Sequence, residues 1–82
     1  MGHAAAINIL KSIEKGENQY KDFHSFAPSS TVNSRIRQLE ACKFIEHHLT
    51  RREKRREWYT LTKKGKRTLR IAEKLEQIFQ ED

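Results

Sequence analysis

Apolar residues change their spacing twice along this chain. Up to Leu39 they recur every three or four positions, between Phe44 and Thr62 they alternate with polar ones, and from Lys63 onward the helical spacing returns. A period of 3.6 lines one face of a helix and a period of 2 lines one face of a strand. The chain must therefore fold as helices, then a strand pair, then a closing helix: an α+β arrangement. Its 82 residues fall short of the roughly 100 to 200 of a typical domain, so one small core is the ceiling and a single domain over 1–82 is expected, divided at 62/63 before the last helix.

The punctuation agrees with this order. Ile7, Leu10 and Ile13 stand three apart, and Gly16 follows as a stop, which predicts a first helix over Ala4 to Lys15. Asn18 is placed to cap a shorter second helix that carries Tyr20, Phe23 and Phe26 as core aromatics. Pro28 disfavours helix for the residue before it, and Ser29 or Ser30 can accept hydrogen bonds from the free amides of a third helix. On that helix Val32, Ile36 and Leu39 form the inward stripe. The opposite face carries Ser30, Ser34, Arg37, Gln38 and Ala41, flanked by Thr31, Asn33 and Arg35. Cys42 is expected to be a small buried residue at its end.

Two alternating segments come next. Ile45, His47 and Leu49 share one side of the first, Tyr59 and Leu61 share one side of the second, and Arg51-Arg52-Glu53-Lys54-Arg55-Arg56 lies between them. This is a β-hairpin with a cationic tip, for which Trp58 is a natural hydrophobic anchor. Thr62 then caps a final helix over Lys63 to Gln80. Its apolar positions are Leu69, Ile71, Ala72, Leu75, Ile78 and Phe79, a stripe wider than packing on one small core requires. Folding back on its own core is one reading of that stripe. Pairing with a second copy through Leu69, Ala72, Leu75, Ile78 and Phe79 is the other, and a small domain without staples favours it.

The charge is uneven. Overall it is +6, yet residues 1–34 are neutral, residues 71–82 sum to −3, and residues 35–70 carry thirteen basic side chains against four acidic ones, a net of +9. Lys63, Lys64, Lys66, Arg67 and Arg70 load the start of the last helix, where cations oppose the macrodipole. A solvated charge run and a polyanion-binding surface both fit such a segment. Like charges this dense in one turn have no folding rationale, which favours an external anion.

Several function classes drop out. The carboxylates Glu14, Glu17 and Asp22 lie within one helix and its turn, and no Gly-rich phosphate loop or nucleophile motif accompanies them. His47 and His48 are neighbours on a strand and point to opposite faces, so they cannot hold one metal ion together. No enzymatic activity, cofactor, metal or small-molecule ligand is expected. The single cysteine excludes a disulfide within the chain and suggests a reducing compartment or a thiol used between chains. No apolar run approaches the ~20 residues of a spanning helix, and no signal peptide is recognisable, so no membrane association and a cytoplasmic, nucleoid-associated location are expected.

Two stretches resemble a known family. Ser30-Thr31-Val32-Asn33-Ser34-Arg35-Ile36-Arg37-Gln38-Leu39-Glu40 followed by Phe44-Ile45 is similar to the recognition helix and exit strand of winged helix-turn-helix transcription regulators of the MarR and HxlR type, including small archaeal and archaeal-virus members. Trp58-Tyr59-Thr60-Leu61-Thr62-Lys63-Lys64-Gly65-Lys66 resembles their Y-x-L-T-x-x-G signature. The resemblance implies a winged helix-turn-helix with a three-helix core, a two- or three-stranded β wing and a C-terminal dimerisation helix. It also implies a recognition helix over about Ser30 to Cys42 in the major groove of double-stranded DNA, with the wing on the backbone or an adjacent groove. The matching DNA-facing positions are Ser30, Thr31, Asn33, Ser34, Arg37 and Gln38, with Arg51, Arg52, Lys54, Arg55 and Arg56 on the wing. Lys43 departs from the pattern, since members usually have glycine there, and Pro28 with Ser29 behind it replaces the usual serine cap.

A homodimeric, sequence-specific DNA-binding regulator is the leading expectation. The alternative is a winged-helix module for protein or RNA. A protein-binding version should expose an apolar patch on the third helix, and an RNA reader should offer stacking aromatics, for which only Trp58 and Tyr59 qualify.

Overall fold

In the computed structural model, which describes residues 4–80, the elements run α1 (Ala4–Glu14), α2 (Tyr20–Phe23), α3 (Ser29–Ala41), β1 (Ile45–Thr50), β2 (Arg56–Leu61) and α4 (Lys63–Gln80). Glu81 and Asp82, part of the acidic end counted above, lie outside the described residues. The fold is α+β, and the two strands form one antiparallel sheet.

Each helix sends one side chain to the centre. Ile9 of α1, Phe23 of α2, Val32 of α3 and Leu69 of α4 are the largest fully buried side chains, each worth about 1.5 to 3 kcal/mol of burial. Leu10, Ile13, Ile36 and Leu39 extend this core along α1 and α3, and Ile45 and Tyr59 join it from the base of the sheet. Leu69 thus belongs to the chain's own core, which removes it from the surface expected to pair with a second copy.

Two helix ends share one solution. At the end of α1 the Gly16 amide donates to Ile13 O at 3.1 Å and the Glu17 amide to Ser12 O at 3.0 Å, with Gly16 at φ 98°. At the end of α3 the Lys43 amide donates to Glu40 O and the Phe44 amide to Leu39 O, both at 2.9 Å, with Lys43 at φ 62°. Both are Schellman caps, which need a left-handed residue just past the helix. The family turn is therefore kept at Lys43 and not reshaped, although a lysine has to adopt the glycine conformation.

Four local expectations are corrected. Gln19, not Asn18, caps α2, in a box closed by the Asp22 carboxylate on the Gln19 amide at 3.0 Å; the Asn18 carbonyl instead accepts the Tyr59 amide at 2.9 Å. Because α2 is one turn long, Phe26 falls beyond it and is 37% exposed, and Tyr20 is half-buried, so of these three aromatics Phe23 alone is fully in the core. Pro28 itself occupies the N-cap of α3 with no side-chain cap, and neither Ser29 nor Ser30 serves as one. Cys42 is exposed as the C-cap residue of α3, past the last helical residue Ala41 and beyond the buried stripe that ends at Leu39.

The signature around Tyr59 fixes α4 to the turn after α3. The Thr62 hydroxyl accepts the Gly65 amide at 2.9 Å, capping α4, and donates to Lys43 O at 2.6 Å, while the Thr62 amide donates to Phe44 O at 3.0 Å. A Cβ on Gly65 would lie 1.9 Å from the Phe44 carbonyl oxygen. Glycine is required there because α4 starts directly against backbone.

Beyond that anchor α4 runs antiparallel to α1. Lys11 Nζ meets Glu76 at 2.8 Å, and Arg70 pairs with Glu14 and with Glu73. These pairs are largely exposed and orient the helix more than they stabilise it.

Candidate nucleic-acid interface

The outward face of α3 follows from its inward one. With Val32, Ile36 and Leu39 buried, a 3.6-residue period leaves Ser30, Asn33, Ser34, Arg37 and Gln38 exposed, with Thr31 and Arg35 half-buried on the flanks. No large apolar side chain stands among them. The side chains on this face are mostly short at the N-terminal end and longer at Arg37 and Gln38. Arg37 makes no hydrogen bond or ion pair among the described residues. Asn33 Oδ1 accepts the Tyr20 hydroxyl, and Gln38 Oε1 accepts Arg35 Nη1 at 3.0 Å. Arg35 Nε is buried without a partner.

The hairpin is half core and half projection. The register pairs Ile45 with Leu61, His47 with Tyr59 and Leu49 with Glu57 on the inner side, and only the first two pairs meet the core. Leu49 is 40% exposed, so the outer half of the hairpin stands clear of the body. Thr50 pairs with Arg56, and residues 51–55 form the loop at its tip, all exposed.

Side chains tie the two strands together on both faces of the hairpin. On the inner face His47 Nε2 lies 3.3 Å from Glu57, whose other carboxylate oxygen accepts Arg55 at 2.7 Å. Arg55 first, and then His47, hold the Glu57 carboxyl below the usual range. On the outer face His48 stacks on Trp58 at 5.3 Å and 16°, His48 Nε2 lies 2.8 Å from the Thr60 hydroxyl, and the Arg56 guanidinium lies over the indole at 5.5 Å. Trp58 is the anchor that its place in the run suggested, through a histidine partner that alternation alone did not reveal. Burial, followed by the charges of Glu40, Glu57 and Tyr20, raises the Tyr59 phenol above its ordinary value, so it stays protonated beside Phe23.

The sequence-predicted cations therefore divide into two groups. Arg37, Arg51, Arg52 and Lys54 have no acidic partner among the described residues, and Arg56 engages only Trp58. Arg55 is shared with Glu57. Among the basic residues at the start of α4, Arg70 is committed to Glu14 and Glu73, which also hold its guanidinium more firmly protonated, and Lys64 rests 5.2 Å from the Phe44 ring. Glu14 and Asp22 are likewise spent on structural contacts, and Glu17 lies 3.7 Å from Lys15.

The apolar positions of α4 also divide. Leu69 is inside and Ala72 half-buried, whereas Ile71, Leu75, Ile78 and Phe79 are 56%, 51%, 58% and 83% exposed. At 3.6 residues per turn these four share one stripe, centred about a third of a turn away from Leu69. No helix among the described residues is long and apolar enough to cross a membrane.

The fold recurs in solved structures. The protein smu.1704 from Streptococcus mutans UA159 superposes with a TM-score of 0.82 at 19% identity, over 96% of this chain and 81% of that one. A PadR family transcription regulator from Clostridium difficile R20291 gives 0.82 at 20%, over 92% and 88%. AF1382 from Archaeoglobus fulgidus gives 0.76 at 21%, over 99% and 89%. At these identities the likeness speaks for the winged-helix fold. No curated protein matches the sequence. The family model for the HxlR-like helix-turn-helix covers residues 2–81, nearly the whole chain. The chain belongs to the HxlR-like helix-turn-helix family, and so to the helix-turn-helix DNA-binding transcription regulators.

Proposed function

We propose that the protein is a homodimeric, sequence-specific regulator that binds double-stranded DNA with α3 in the major groove and the hairpin tip on the backbone or an adjacent groove. The observation that carries this reading is the pairing of a polar α3 face without large apolar side chains with a free-standing loop whose Arg51, Arg52 and Lys54 have no acidic partner among the described residues. Side chains such as Asn, Arg and Gln match base edges, and unpaired cations match phosphates. The absence of an apolar patch on α3 weighs against a protein-binding use of the same face.

In this reading Ser30, Thr31, Asn33, Ser34, Arg37 and Gln38 lie at the groove, and Arg51, Arg52, Lys54, Arg55 and Arg56 supply the wing contacts. Ala72, Leu75, Ile78 and Phe79, joined by Ile71, pair two copies along α4. Two recognition helices would then engage half-sites about 34 to 36 Å apart, one turn of DNA.

The test compares wild type with Arg37→Ala and Arg52→Ala in binding to a selected duplex and to a scrambled one. Arg37→Ala should lose about 1 to 3 kcal/mol of discrimination between the two. Arg52→Ala should weaken both alike and lower the salt slope by about 1. Discrimination left intact by Arg37→Ala would remove α3 from the groove.

A further inference from the structure

Two side chains on the outward face of α3 are primary amides, and both have their oxygen engaged within the chain. The Tyr20 hydroxyl, reaching across from α2, donates to Asn33 Oδ1, and Arg35 Nη1 donates to Gln38 Oε1 at 3.0 Å. Neither donor is free to wander. Tyr20 is half-buried and stands edge-on to His24, with ring centroids 4.7 Å apart and planes at 72°. Arg35 is half-buried too, and its Nε is enclosed, so only the outer end of its guanidinium reaches Gln38.

A free primary amide reads in two directions: its oxygen accepts and its nitrogen donates, the combination that the N6 amino group and N7 of adenine require. With its oxygen turned toward α2, Asn33 presents the NH2 group outward, and Gln38 with its oxygen turned back along α3 does the same. Arg37 has donors only. The long polar side chains at this face thus offer donors and withhold their acceptors. In the major groove guanine shows two acceptors side by side, N7 and O6, and thymine a single one, O4, whereas adenine and cytosine each show an amino donor that needs a free acceptor.

Resting on the DNA-binding reading above, we propose that Tyr20 and Arg35 are positioning residues that hold Asn33 and Gln38 as donors and so bias the bases read by α3 toward guanine. Neither touches a base; each acts by orienting an amide that does.

The test is parallel selection of bound sites from a random duplex pool with the full chain, with Asn33→Ala and with Tyr20→Phe. Tyr20→Phe keeps the ring against His24 and removes only the hydroxyl that fixes the amide. The position whose preference disappears in Asn33→Ala should be guanine in the unaltered chain. In Tyr20→Phe adenine should gain on guanine there by about ten-fold, within the reach of one bidentate contact, with the salt dependence unchanged. Arg35→Met, which keeps the length of the stem, should do the same at the position that depends on Gln38. A guanine preference that Asn33→Ala abolishes and Tyr20→Phe retains overturns the proposal and leaves the DNA reading standing, as does adenine at that position in the unaltered chain. A pool that yields no enriched sequence with the unaltered chain overturns the DNA reading and this proposal with it.

Discussion

Gly16 and Lys43 perform the same task at the ends of α1 and α3, yet only one of them is free of a steric penalty. A left-handed residue with a Cβ costs roughly 1 to 2 kcal/mol, part of which a glycine returns through its more flexible unfolded state. Lys43→Gly should therefore stabilise the domain by about 0.5 to 1 kcal/mol, seen as a higher urea midpoint at unchanged m-value. A lower midpoint would mean that the Lys43 side chain does something the cap does not explain. Gly65 has the opposite sensitivity. Because its Cβ would sit 1.9 Å from the Phe44 carbonyl oxygen, Gly65→Ala should cost about 3 kcal/mol or more and loosen α4 and the hairpin together. Near-neutral behaviour in a chemical melt would contradict the close approach. The need for a left-handed residue at 43 could be read from the family pattern, because the helix stripe ends at Leu39 and the strand begins at Ile45. The reason for glycine at 65 could not, since it lies in the backbone of Phe44, 21 residues earlier in the chain. Cys42 was misread because residue type and its spacing from Leu39 both suggest burial, whereas α3 ends at Ala41 and leaves the cap position exposed.

The hairpin is where charge pattern and element agree most closely. Alternation located both strands to within a residue, and all of the basic run but Arg56, the first residue of β2, fell in the loop, because a tip that leaves the core has no apolar positions to keep. Its outer-face stack of His48 on Trp58 was out of reach, as it depends on cross-strand register rather than on spacing within a strand. The wing also contains its own brake. Glu57 takes Arg55 out of the pool of free cations, and the Arg55 and His47 contacts that depress its carboxyl favour its ionised form. The sign is that of a lowered carboxylate: the ion pair is present above the unfolded-state value and is lost as pH falls through the folded one. Glu57→Gln should free Arg55, tighten binding to all duplexes by a similar factor and raise the salt slope by about 1 in a fluorescence titration. Weaker binding would show instead that Glu57 is needed to shape the wing.

On the scale of the whole molecule, shape and assembly are linked. The radius of gyration is 13.4 Å, above the about 12 Å expected of a compact chain this long, and the long extent of 52 Å against 27 and 22 Å reflects elements that reach past the core. Width of the apolar stripe on α4 was legible in the sequence, and its division into an inner Leu69 and an outer Ile71, Leu75, Ile78 and Phe79 was not, because pattern cannot separate burial within a chain from burial between chains. If two copies pair along α4 as proposed, light scattering should show wild type as a dimer and Ile78→Glu as a monomer at the same concentration, with the helical signal and thermal midpoint nearly unchanged. Loss of fold in that variant would place the stripe in the chain's own core. The central claim, that two copies read duplex DNA with α3, is met most directly by selection of bound sites from a random duplex pool at fixed salt. The account predicts a palindromic consensus whose half-sites lie about one helical turn apart and whose contrast collapses in Arg37→Ala. An unenriched pool, or a consensus that Arg37→Ala leaves intact, would contradict it.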